Sequence, residues 1–233
     1  MRVAILISGR LKCYEKCLIP LLKNANYTID LFCSINDNER SYYDDARQRL
    51  NPWLVEMYVK KYEFPENFYN TFIAASGDGS RPINQMSCFF NDRKAFELAT
   101  SYADENGFEY DAYMKYRADI QTSSLPDVVT SDEFEIYSVV PWCNYHVPLL
   151  DREIPSYLDG EIVGWVSDAI VFGNRKSMEA YTETHNFCVE MNELFEGHYP
   201  CNFEPSVTQN AYDKGLKINY FNKPYSLNSE RRQ

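Results

Sequence analysis

The sequence is poor in the residues that usually announce an active site. Histidine occurs three times, as His146, His185 and His198, and no two of these are spaced as a metal pair on a helix. No G-x-S-x-G is present, and "SGDGS" lacks the strand-to-helix flanks of a nucleophile elbow, which excludes the familiar serine hydrolase layout. A P-loop and a G-x-G-x-x-G fingerprint are also missing, which argues against P-loop NTPases and Rossmann dehydrogenases.

Positive charge is in short supply. Lysine and arginine number 23 against 34 acidic residues, for a formal net charge of -11 and a pI near 4.8. A nonspecific grip on nucleic acid or on anionic lipid therefore has no electrostatic basis. Any phosphate must be held locally, by a few basic groups or by a metal. Long apolar runs are absent too: "VAILI" at residues 3 to 7 is far below the length of a membrane span and precedes no small-residue cleavage site. The reading is a soluble chain with no membrane span. Its seven scattered cysteines suit buried thiols in a cytoplasmic, reducing compartment. The Cys13 to Cys17 step, without a second pair or a nearby histidine, is weak as a zinc signal.

What is present is aromatic and apolar weight, with 19 tyrosines, 14 phenylalanines and 45% hydrophobic residues in 233. That suits one globular domain with a substantial core. "VAILI" closed by Ser8-Gly9 has the pattern of a strand buried on both faces. A short helix over 14–22, despite Pro20, and a strand in "YTIDLFCSIN" complete a βαβ unit. Residues 39–50 suit a helix and "WLVEMYVKKYEF" a strand. Residues 84–105 carry the strongest helical stripe, with Gly107 just beyond its end. This helix leads into "YDAYMKY", a strand that ends on Arg117 and Asp119. Further strands are expected in "EFEIYSVVP", "AIVFG" and "LKINYF", and helices from near Ser177 and over 205–214 with Gly215 as cap. The irregular stretch 142–160 is long enough to be functional. The expectation is an α/β fold with a mainly parallel central sheet flanked by helices. No composition break marks a domain boundary.

Open α/β sheets place ligands at the carboxyl ends of their strands. Ser8, Gly9 and Arg10 end the first strand, Asn36 and Asp37 the second, and Arg117 and Asp119 the strand after the long helix. Lys115 alternates with Arg117 and faces the same side. A tight turn, an Asx turn and a solvated arginine explain the first five of these equally well. Arg93 and Lys94 read as a solvated helix face, and Gln85 as the polar residue of that helix better placed for a ligand.

Three segments, "AILISGRL", "NQMSCFFNDRKAFELA" running into "YDAYMKYRADI", and "WVSDAIVFGNRKSMEAY", resemble the nucleotide-sugar-dependent glycosyltransferases of the GT-A fold, of the lipopolysaccharide and viral type. The resemblance implies a single domain over 1–233, with a donor-binding half, 1–120, and an acceptor-side half, 121–233. It implies transfer of a sugar from a nucleoside-diphosphate sugar to a hydroxyl of a glycan acceptor. In such enzymes a D-x-D motif holds Mn2+, or Mg2+, against the diphosphate. Here Arg117 stands in place of the first carboxylate, which leaves Asp119, with His198, as implied metal ligands. Ser8, Gly9, Arg10, Asn36, Gln85, Lys115 and Arg117 would surround the donor. Trp165 and Glu204 would meet the acceptor, and Asp168 would be the base that takes the acceptor proton. Turn, cap and core roles account for Trp165, Asp168 and Glu204 as well. The alternative is a non-catalytic nucleotide- or carbohydrate-binding module on the same fold, kept open by Arg117.

Overall fold

In the computed structural model the described residues are 1–11, 13–36, 40–65, 82–139, 157–158, 161–162, 165–196 and 203–227. Seven strands form one sheet: β1 (Arg2–Gly9), β2 (Thr28–Ile35), β3 (Leu54–Val59), β4 (Ala112–Tyr116), β6 (Glu135–Val139), β9 (Ile170–Gly173) and β10 (Lys217–Phe221). Two small pairs lie outside it, β5 (Ile120–Gln121) with β11 (Ser226–Leu227) and β7 (Tyr157–Leu158) with β8 (Glu161–Ile162), both antiparallel. The sheet order is β10-β6-β9-β4-β1-β2-β3. All strands of the sheet run one way except β9, which is antiparallel to both of its neighbours. The fold is therefore α/β with a mostly parallel sheet.

The helices are α1 (Tyr14–Cys17), α2 (Ile19–Lys23), α3 (Arg40–Leu50), α4 (Pro82–Glu105), α5 (Arg175–Thr182), α6 (Thr184–Leu194) and α7 (Phe203–Asp213). The single helix expected over 14–22 is two short ones. Pro20 has no amide hydrogen, so it is tolerated only in the first turn of a new helix, and the chain restarts at Ile19.

Two-residue alternation along the strands sorts the core. Val3, Ile5 and Ile7 of β1, with Met114 and Tyr116 of β4, pack on one face with residues of α1 to α3. Ala4 and Leu6, with Phe32 and Tyr113, pack on the other with α4 to α7. By the same alternation Ser8, Ser34, Lys115 and Arg117 fall on the α4 face. Their polar ends gather where the apolar rows of that face stop.

The chain order supplies the rest of the placement. After β1 the chain builds outward through β2 and β3, then α4 carries it back across the sheet to β4 on the other side of β1. The strand order thus reverses between β1 and β4, and a crevice opens outside their carboxyl ends at such a point. Because β9 is antiparallel, its amino end lies at the same edge, with Tyr116 opposite Ile170. Residues 165–169 are thereby brought beside the end of β4.

Candidate functional site

At the end of β4 the Arg117 amide donates to the carbonyl of Ala169 at 3.0 Å, which joins the strand end to the segment before β9. The Arg117 side chain then lies between two carboxylates. Its Nε and Nη2 donate to Oδ1 and Oδ2 of Asp119, each at 3.0 Å, and its Nη1 donates to Oδ2 of Asp168. This is a bidentate fork with one carboxylate and a single bond to another, an arrangement suited to arginine's planar geometry. The three side chains are 19%, 12% and 31% exposed, so they border open space. Burial opposes the charge on Arg117, but Asp168 and Asp119 outweigh it and hold the guanidinium protonated more firmly than usual.

Beneath this triad lies a closed layer. Lys115 Nζ donates to the backbone carbonyl of Asp168 at 2.7 Å, stands 3.5 Å from Asp92 Oδ2, and sits 4.0 Å from the Phe203 ring centre. Ser8 Oγ donates to the other oxygen of Asp92. Burial pushes the Asp92 carboxyl above its usual range, while Lys115 and the Ser8 hydroxyl pull the other way. Beside it, Ser34 Oγ donates to Asn91 Oδ1 at 2.7 Å, and the Asn91 amide donates to the Ser87 carbonyl at 2.7 Å and to Asn36 Oδ1 at 3.2 Å. Asn36 in turn donates to Ser87 Oγ.

Glu204, in the first turn of α7, lies close enough to Asp168, Lys115 and Arg117 to feel their charges. It is half-buried, and its carboxyl is pushed up to about 7, first by burial and then by the charge of Asp168. Lys115 and Arg117 draw it back in part. Behind it, the hydroxyl of fully buried Tyr181 finds no hydrogen-bond partner among the described residues.

The sequence-derived residues thus divide. Arg117, Asp119, Asp168 and Glu204 meet at one edge. Ser8 and Lys115 belong to the layer below, and Lys115 is enclosed by protein partners. Gly9 turns the chain out of β1 with a positive φ of 84°, which favours glycine, and Arg10 beyond it is exposed. Asn36 is half-buried with its amide engaged, and Gln85 is half-buried on the first part of α4. Trp165 is 6% exposed, a wall of the interior with little free ring face. His198, Asp37 and most of the 142–160 stretch lie outside the described residues. Arg93 and Lys94 pair with Glu97 at 3.0 and 3.2 Å along the helix surface.

Asp92 was not among the residues singled out from sequence, although a signal existed. It falls three residues after Phe89 and four before Phe96, in the apolar stripe of α4. A carboxylate in such a stripe needs a buried partner.

Of the two metal ligands implied by the family resemblance, His198 lies outside the described residues, and Asp119 accepts from Arg117 through both carboxylate oxygens, so a cation there would have to share them with the guanidinium. Among the described residues no three histidine, cysteine or carboxylate side chains converge to hold an ion.

No family model matches the chain, and no curated protein matches it in sequence. Among solved structures the chain is similar to a nucleoside-diphosphate-sugar pyrophosphorylase from Vibrio cholerae RC9, at 11% identity and a TM-score of 0.42, covering 94% of this chain and 91% of that one. It is also similar to the apo form of mouse xyloside xylosyltransferase 1, at 13% identity and a TM-score of 0.48, covering 95% of this chain and 85% of that one. Among the described residues no helix is long and apolar enough to cross a membrane.

Proposed function

We propose that the chain is a glycosyltransferase of the GT-A type, which moves a sugar from a nucleoside-diphosphate donor to a hydroxyl of a glycan acceptor. The observation that carries this reading is the meeting of Arg117, Asp119, Asp168 and Glu204 outside the β1–β4 switch point, with one firmly charged cation and a carboxyl that titrates near neutral pH. Gly9 leaves the backbone open at the end of β1, and Arg10 supplies a second, exposed cation for the diphosphate. Gln85 and the Asn36–Ser87 pair border the nucleotide side.

In the transfer the acceptor oxygen bonds to the anomeric carbon as the bond from that carbon to the diphosphate oxygen breaks. The bonding pair leaves with the nucleoside diphosphate, and the acceptor proton passes to a carboxylate. A base with a pKa near the working pH suits that last step. Glu204 meets this condition, whereas Asp168 is held by Arg117 and is better suited to orient the acceptor. Trp165 then shapes the acceptor side from within rather than by stacking on an open face. The described cysteines are all free, which suits the cytoplasm.

The reading is tested by incubating the chain with a panel of radiolabelled nucleotide sugars and measuring both donor hydrolysis and transfer to glycan acceptors. Transfer that is lost in Glu204→Gln and in Asp168→Ala supports it. Nucleotide-sugar binding with no turnover of any kind would move the chain to the class of non-catalytic binding modules.

A further inference from the structure

The charge that a donor diphosphate brings must be met by something, and the geometry at the end of β4 points to what meets it. We infer that Arg117 is the cation of this site: its guanidinium, rather than a divalent metal, holds the donor's diphosphate. This inference rests on the glycosyltransferase reading and specifies how its donor is bound.

Three observations lead there. All three guanidinium nitrogens of Arg117 are engaged by carboxylate oxygens, and each oxygen of Asp119 accepts one of these bonds. A metal at Asp119 would have to share those oxygens with the guanidinium and sit beside its positive charge. Second, the two cations of β4 differ in access. Lys115 is 4% exposed and committed to Asp92 and to the Asp168 carbonyl, while Arg117 is 19% exposed and borders the open side. Third, the exchange is chemically like for like. A guanidinium offers phosphate oxygens the same donors that it offers a carboxylate, so a diphosphate oxygen can displace Asp168 from Nη1 while the fork with Asp119 persists. When Nη1 turns to phosphate, Asp168 is released toward the acceptor.

The test is calorimetric titration of the wild-type chain with UDP, GDP, ADP, CDP and dTDP, in EDTA and again with excess Mn2+. The tightest nucleotide is expected to bind in EDTA with a Kd within about threefold of its value in Mn2+. In EDTA, Arg117→Gln should weaken that binding by at least about tenfold, and Arg117→Lys by less, since it keeps the charge but not the fork. The manganese EPR signal should be unchanged by wild-type protein without nucleotide. Binding seen only with Mn2+, uptake of Mn2+ by the wild-type chain, or an Arg117→Gln variant that binds as well as wild type would each overturn the inference and leave the transferase reading standing. Binding of no diphosphate under either condition would remove the donor site itself, and both readings with it. The chelator comparison uses only the wild-type chain, so it stands even if the variants misfold.

Discussion

The ammonium group of Lys115 donates to the backbone carbonyl of Asp168 at 2.7 Å, from a side chain that is 4% exposed and stands 3.5 Å from Asp92. A buried lysine on the central sheet thereby fixes the backbone of a residue whose own carboxylate faces the open edge. Three elements meet in this contact, β4, α4 and the segment before β9, and the position of Asp168 depends on all three. Lys115 is a strut of the site, its ammonium group set between Asp92 and the Phe203 ring.

That role has a measurable signature in stability. Removing one member of a buried ion pair leaves the other charge without its partner, at a cost of about 3–5 kcal/mol, whereas replacing both by apolar groups of similar volume is often neutral. Lys115→Met is therefore expected to lower the midpoint of chemical unfolding strongly, and Lys115→Met combined with Asp92→Leu to recover most of the loss. Urea titration of wild type, Lys115→Met, Asp92→Leu and the double variant gives the coupling. Additive losses would show that the pair carries no coupling of its own.

Glu204 should set both a pH profile and a stability trend. With its carboxyl at about 7, the transfer rate under the Glu204 base reading rises with pH and levels off above that value, and Glu204→Gln loses about 10²–10⁴-fold. Its ordinary value is 4.5, so between 4.5 and about 7 the folded state binds more protons than the unfolded one. Stability contributed by this group is present at low pH and is lost as pH rises through that interval. Glu204→Gln is therefore expected to raise the melting temperature at pH 8 while having little effect at pH 4. A variant that is less stable than wild type at pH 8 would mean the carboxylate is tied by a contact that offsets its burial.

His185 gives the opposite sign. Its Nε2 lies 3.1 Å from the Tyr62 hydroxyl, with the rings of Tyr62 and Phe90 both 5.8 Å away, and burial pulls its pKa below the ordinary 6.5. The unfolded chain takes up this proton more readily than the folded one. The group's contribution is intact above pH 6.5 and declines as pH falls toward the lowered folded value. Melting temperatures of wild type and His185→Gln, compared from pH 7.5 to 5, should converge toward low pH. Parallel curves would show that His185 binds its proton equally well in the folded and unfolded chains, so that burial does not lower its pKa.

Much of this architecture was legible in the chain. "VAILI" is an unbroken apolar run because β1 is covered on both faces, whereas the apolar residues of α4 are not confined to one stripe, because that helix packs on β1 and β2 and also on α5 and α6. The direction of β9 was not legible. "AIVFG" forms a strand whichever way it runs, and only its long-range pairing with β4 and β6 makes it antiparallel. That reversal is what carries Asp168 to the edge where β4 ends. Arg117 and Asp119 could be found because charge after a strand is visible in sequence, but their bonding to each other depends on side-chain angles that no spacing rule specifies. The resemblance implied that Trp165 meets the acceptor, and its burial to 6% exposure was not legible in the residues around it.

The Arg117–Asp168 bond leads to a prediction in which binding and turnover move in opposite directions. In the free site Nη1 of Arg117 is held by Asp168, and a diphosphate must compete for it. Asp168→Asn keeps the shape and can still accept a hydrogen bond, but it removes the charge that makes this bond strong, since charge-assisted bonds are roughly twice as strong as neutral ones. Nucleoside diphosphate binding should therefore tighten by roughly three- to tenfold, equivalent to about 0.7–1.4 kcal/mol. Sugar transfer should fall, because the neutral amide cannot orient the acceptor hydroxyl as a carboxylate does. Calorimetry with the nucleotide and initial-rate measurements on the same preparation separate the two effects. If binding and turnover fall together, Asp168 is a scaffold for Arg117 and does not compete with the donor for it.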